Sequence, residues 1–391
     1  MKTNNKNMFN DKLLVSYLFF ICVCIGGYIV PGTNFSLGIT IGFGLAVIWF
    51  SRFILMSDKT FLINKSLLLF FFYVIISQLL IGVVKNEFLI IKNLIIVIFS
   101  TFTVIIVYNI VSEENFFKAY KTFGIISLVG LFYHVIIVYI LKQPVSPIII
   151  LPNAFMPETN WAYDLYRPMS IFQEPAAYAG FMLPLLAYSI YKKRIMFSII
   201  VTISILFSTS SIGIIVAFGI WVYSIFFVVK SKSLKFGLVL LYLMILIFFL
   251  SNDMFSYPIE RIKNINLEND TRLTNGFFIL RNMNSEDLIF GIGMGSISTY
   301  INMHGLLFND YNSSFAGVII NWGVIGIILY LTMLFKFLIK QNRNVQLFVL
   351  MIIILSFVQT IVFNLAFQYY FLSYFVCANK GKRSYIGIKF R

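Results

Sequence analysis

Residues 195–229 read IMFSIIVTISILFSTSSIGIIVAFGIWVYSIFFVV, an apolar run interrupted only by Ser208-Thr209-Ser210-Ser211. A helix needs about 20 apolar residues to cross a bilayer. This run is too long for one crossing, so it reads as two spans joined by a tight polar turn. Residues 345–377 pose the same question, with breaks at Asn364 and Gln368-Tyr369-Tyr370. Simple runs occupy roughly 13–30, 35–50, 67–84, 88–111, 122–141, 175–191, 236–250 and 313–338. With both long runs split, the sequence predicts an all-α, polytopic transmembrane helical bundle of about 12 spans.

Charge tests that count, because each added crossing moves everything after it to the other side. Cytoplasmic loops of membrane proteins collect Lys and Arg. In the twelve-span reading, one side holds the N-terminus, 51–66, 112–121, 192–194, 230–235, 336–343 and 378–391, with 22 of the 30 basic residues. Its acids number 4 and the opposite side's 11, so the two sides carry +18 and −3. This places both ends in the cytoplasm and treats residues 1–391 as a single integral membrane domain. Two outward loops are large, about 142–174 and about 251–312.

Composition excludes other classes. Of 391 residues, 60% are hydrophobic and 12% charged, about half the charge of a soluble domain, so neither a soluble enzyme nor a disordered polymer fits. The net charge of +15 would suggest nucleic acid in a soluble protein, but here it mostly records topology. Three cysteines give no disulfide framework, and Cys22-x-Cys24 inside a span reads as filler. With two histidines and no convincing acidic pair, no metal site is expected.

Chemistry is therefore sought in the outward loops, since loops held by a rigid scaffold carry function. The first contains Tyr166-Arg167-Pro168-Met169-Ser170-Ile171-Phe172-Gln173-Glu174-Pro175. Pro175 suits the first position of a helix, which puts Glu174 at the favourable end of the helix dipole. Two readings stand side by side. One is an anion-binding Arg167 beside a carboxylate able to accept a proton; the other is a capped helix and a headgroup-anchoring Arg. The second loop carries Glu260, Arg261, Lys263, Glu268, Asp270, Arg272 and Arg281, then Gly291-Ile292-Gly293-Met294-Gly295. Arg suits a diphosphate because its planar fork bonds two oxygens. Alternate glycines either turn amides toward an anion or make a tight re-entrant turn, the simpler reading. His304, Asp310, Tyr311 and Asn312 close the loop; His304 is a possible base near neutral pH. His134 lies within span five, where a helix–helix hydrogen bond is expected. Gly323 and Gly326 in span ten read as close-packing positions.

The stretch from Arg167 to Tyr178 resembles the signature of Wzy-type bacterial polysaccharide polymerases, in which an Arg precedes a Phe-x-Glu-Pro segment opening a span. A second block is similar to that family and to the related O-antigen ligases. It runs from Arg272 through Gly291–Gly295 to Tyr311-Asn312 and Trp322-Gly323-Val-Ile-Gly326. The resemblance covers residues 160–335. It implies a glycosyltransferase that joins undecaprenyl-diphosphate-linked oligosaccharide repeat units at the outer face of the cytoplasmic membrane, for O-antigen or capsule. It implies no cofactor. A chain-length regulator and a flippase would be partners, and nucleic acid would not. Glu174, Arg167, Arg272 and His304 are then the catalytic candidates, with Arg281, Tyr311, Asn312, Gly293 and Gly295 as substrate contacts. The ligases typically carry a His immediately before the Asn, where this chain has Tyr311, and His304 stands upstream. An O-antigen ligase remains the nearest alternative. A non-enzymatic lipid-linked-sugar flippase is another, although it would need ionisable residues in mid-membrane.

Overall fold

A computed structural model describes residues 3–31, 33, 35–56, 60–151, 155–156, 165–251, 271–305, 313–339, 341–359, 361–378 and 385–389. Each of the apolar runs contains a helix: α1 (Thr3–Cys24), α2 (Leu37–Met56), α3 (Lys65–Lys85), α4 (Phe88–Ile110), α5 (Glu113–Val135), α6 (Pro175–Tyr191), α7 (Ile195–Phe207), α8 (Ser211–Tyr223) and α9 (Lys232–Ser251). Three short helices follow, α10 (Thr271–Asn282), α11 (Ser285–Phe290) and α12 (Ile297–Met303), then α13 (Ser314–Ile339), α14 (Arg343–Val358) and α15 (Leu365–Cys377). A π turn extends α5 to Ile140, and another extends α8 to Val228. Among the described residues, six helices are long and apolar enough to cross a membrane. Several expose large apolar side chains, among them Val84, Phe226 and Phe335, a surface that suits lipid rather than water. The chain is a multi-pass membrane protein.

The polar residues that interrupt the hydropathy cap the helices. Ser210 accepts from the Gly213 amide to start α8, and Asn364 accepts from Phe367 to start α15. Such caps satisfy amides that lipid cannot. Ser112 caps α5, with Glu113 and Glu114 in its first turn. The first run forms less helix than its hydropathy allows, because α1 stops at Cys24 ahead of Gly26-Gly27.

The chain divides into two compact units, each assembled from three separated stretches. The first comprises Met1–Ile41, Ile110–Asn264 and Asn342–Met351. Here α5 packs on α1, and α6 packs on α5, α7 and α8. Phe20, Phe116, Tyr120 and Phe181 form an aromatic core, with Phe20 and Tyr120 centroids 4.4 Å apart. Pro184 removes one internal bond from α6, and nearby the Tyr120 hydroxyl donates to the Phe181 carbonyl at 2.5 Å. At one end of this unit Lys192 pairs with Glu113 at 2.7 Å, and Tyr223 donates to Gln346 at 2.9 Å.

The second unit comprises Gly42–Asn109, Ile265–Gln341 and Ile352–Arg391. Its α3 packs on α13. Two strands, β1 (Thr60–Asn64) and β2 (Tyr385–Lys389), pair antiparallel with Leu62 opposite Gly387. Asn109 on α4 accepts from the Leu62 amide at 2.8 Å and donates to its carbonyl at 2.9 Å.

Candidate functional site

In the first unit, the loop preceding α6 is fixed from several directions. Met169 and Ser170 are fully buried, and both donate backbone N–H groups to His134 Nδ1, at 3.4 and 3.2 Å. The Ser170 hydroxyl donates to the Ser127 carbonyl at 2.8 Å, and its own carbonyl accepts from Ile148 at 2.9 Å. Gln173 donates to Gly27 O at 2.7 Å, while the Tyr28 hydroxyl accepts from Ile150 at 2.8 Å. His134 therefore bonds to this loop, not to a neighbouring helix as the sequence suggested. Accepting at Nδ1 fixes it as the neutral Nε2–H tautomer.

Arg167 is half-buried and reaches the turn between α7 and α8. Its Nε donates to Thr209 Oγ1 at 3.0 Å and its Nη2 to Thr209 O at 2.9 Å. Two of the five guanidinium donors are thus committed to one residue, which sets the plane of the fork. Thr209 has a positive φ of 54°, rare for a β-branched residue. The Tyr139 hydroxyl lies near Thr209 and in the field of Arg167. Glu174 occupies the cap position of α6 in an extended conformation, its carbonyl accepting from Ala177 and Tyr178 at 3.1 and 3.2 Å. Its side chain makes no capping hydrogen bond. The carboxylate stands beside the positive end of the helix dipole without being consumed as a cap.

In the second unit, the glycine stretch is a tight turn clasping a broken helix. Gly323, inside α13, has φ 68° and ψ −172° and interrupts the helix. The break exposes carbonyls, and in a membrane these need partners. Ile292 N–H donates to Ile320 O at 2.8 Å, and Gly293 N–H to Asn321 O at 3.3 Å. Gln78 also donates to Asn321 O, at 3.2 Å, and the Tyr73 hydroxyl to Trp322 O at 2.6 Å. Gln78 Oε1 accepts in turn from Met294 N–H at 2.6 Å. Gly291, Gly293 and Gly295 all have positive φ, at 89°, 96° and 92°. A side chain on Gly291 would meet the Asn321 backbone, and one on Gly323 the Ile289 carbonyl. The close packing expected at Gly323 is present, and the break that accompanies it was not foreseen. The amides of residues 292–294 are spent on protein acceptors.

Around this turn, Ile279, Met283, Ile292, Tyr300, Ile301 and Ile320 share a core. Tyr300 donates to Asn282 O at 2.7 Å; burial, and then the Asp287 carboxylate, hold its hydroxyl above the usual range. Lys85 pairs with Asp287 at 3.0 Å, and the Ser296 hydroxyl donates to Glu87. His304 is exposed, its ring stacked on Tyr300 with centroids 4.1 Å apart and its Nδ1 2.9 Å from Tyr300 O. A carbonyl partner makes Nδ1 the donor, leaving Nε2 as the basic nitrogen. Arg281 is exposed in the last turn of α10, where the dipole favours a cation. Arg272 begins the same helix, but its side chain lies outside the described residues, as do Tyr311, Asn312 and residues 252–270.

Of the sequence candidates, Arg167 and Glu174 lie in the first unit, and Arg281, Gly293, Gly295 and His304 in the second. Nothing in the residue pattern marked Thr209, Tyr139 or Ser170 as partners. His134 was marked only by being polar within a span.

The fold defines the class: a multi-pass α-helical membrane protein. No family model matches the sequence, and no curated protein matches it.

Proposed function

We propose that this protein is a polysaccharide polymerase of the bacterial cytoplasmic membrane, joining undecaprenyl-diphosphate-linked repeat units at its outer face. The observation that carries the reading is the loop of Arg167 and Glu174. The guanidinium is oriented by Thr209, and the carboxylate is left out of its helix cap. A lipid-diphosphate donor is already activated, so the enzyme must orient reactants and stabilise charge on the leaving diphosphate. Arg167 supplies charge in a set orientation. Glu174 accepts the proton of the acceptor hydroxyl.

Bonds within each unit support the twelve-span, two-sided topology behind this reading. The β1–β2 pair and Glu113–Lys192 join segments assigned to the cytoplasm. Arg167–Thr209 and Lys85–Asp287 join segments assigned outside.

The test is reconstitution with a polyprenyl-diphosphate-linked oligosaccharide. Wild-type protein lengthens the glycan, and Arg167→Ala and Glu174→Ala, present at normal levels, do not. Unchanged product length in either variant overturns that residue's role. Accumulation of full-length lipid-linked polymer in a deletion strain points to the ligase instead. The transporter reading has one observation in its favour, the broken α13, since discontinuous helices line transport sites. Protein donors already occupy the exposed carbonyls of Ile320, Asn321 and Trp322, which weighs against that use.

A further inference from the structure

We infer that His134 is a positioning residue for the loop carrying Arg167 and Glu174, acting from a socket on α5. The inference rests on the reading of those two residues as the reaction centre.

Ser127, Gly130 and His134 follow one another at helical spacing along a single face of α5. All three engage Ser170. Ser127 O accepts its hydroxyl at 2.8 Å, and His134 Nδ1 accepts its amide at 3.2 Å. Gly130 provides the room, since a Cβ there would stand 2.6 Å from the Ser170 hydroxyl oxygen. Ser170 takes a positive φ of 59°, an unfavourable conformation for a residue with a side chain. The amides of Met169 and Ser170 converge on one acceptor, the arrangement by which a backbone nest grips an anion or a lone pair. His134 is 2% exposed, so an unbonded Nδ1 would be costly inside the bundle. Socket and strained residue therefore hold each other. Arg167 lies three residues before Ser170 and Glu174 four residues after it. The socket grips the midpoint between them and fixes the register of both.

The test uses full-length protein in lipid nanodiscs and amide hydrogen exchange of a peptide spanning 165–174. His134→Leu removes the acceptor, whereas His134→Asn restores one at the same branch position. The expected result is exchange on the order of tenfold faster in His134→Leu, near-wild-type exchange in His134→Asn, and no change across 88–110. Unchanged exchange in His134→Leu overturns the inference. Should His134→Leu fail to accumulate, Gly130→Ala fills the socket instead; faster exchange there supports the inference and unchanged exchange overturns it. Glycan elongation is measured alongside, with kcat falling more than KM rises in His134→Leu and recovering in His134→Asn. Wild-type protein that elongates no glycan overturns the polymerase reading, while the exchange result still decides the role of His134.

Discussion

Three residues show where the backbone of this molecule leaves the ordinary regions. Ser170 and Thr209 sit at positive φ and are gripped by hydrogen bonds, while Gly323 takes a positive φ that glycine adopts freely and any other residue only with strain. Strain of about 1–3 kcal/mol per residue persists only where surroundings over-determine the conformation. At Gly323 a Cβ adds a collision with the Ile289 carbonyl. Gly323→Ala is therefore expected to destabilise the protein by at least about 1–3 kcal/mol, read as a lower melting temperature in detergent. Arg167→Lys keeps the charge but loses the planar fork that spans Thr209 Oγ1 and O. Its expected outcome is shorter glycan chains at normal protein levels, checked by electrophoresis of the product. Little of this was legible in the sequence. Arg167 and Glu174 stood out through charge in an apolar chain, but Thr209 and Ser170 act through backbone atoms, which every residue possesses. His134 bonds to amides on irregular chain, and no spacing rule announces such a pair.

At the scale of elements, the sequence was more informative. Hydropathy found each apolar helix, and polar interruptions found the breaks at Ser208–Ser210 and at Asn364, where serine and asparagine cap the next helix. Gln368-Tyr369-Tyr370, read as part of the second break, lies inside α15 instead. It did not find the interruption in α13, whose residues are apolar on both sides of Gly323. The compensating donors come from α3 and the glycine turn, far away in the chain. Gln78 is central to that repair, bonding both Asn321 O and Met294 N–H while fully buried. Gln78→Leu should cost about 1–3 kcal/mol for each group left unpaired. Thermal unfolding in nanodiscs checks this, and an unaltered midpoint would show that other donors fill the gap. The partly exposed Lys192–Glu113 pair offers a contrast. Glu113→Ala should cost no more than about 1 kcal/mol, less at high salt.

For the whole molecule, the arrangement of charge and the pairing of connections bear on one question, which side each loop faces. With Cys22, Cys24 and Cys377 replaced, a single cysteine at Lys193 should react with impermeant reagent only from the cytoplasmic side. One at Tyr166, which is exposed, should react from outside. The opposite pattern would invert the topology and remove Arg167 from the outer face. Hydropathy and charge could suggest the layers of this fold, but not its division into two units, because each unit draws on stretches hundreds of residues apart.

That interleaving has a consequence for biogenesis. A ribosome delivers α3 and α4 to the membrane long before α13 exists, and β1 at residues 60–64 waits for β2 at residues 385–389. Insertion into the bilayer and assembly of the second unit are thus separated in time. During that interval Gln78 lies within an apolar helix without the Asn321 carbonyl and Met294 amide it later bonds. A nascent chain arrested before residue 314 should be a poor folder and a good substrate for membrane quality control, even though twelve of the fifteen described helices are already made.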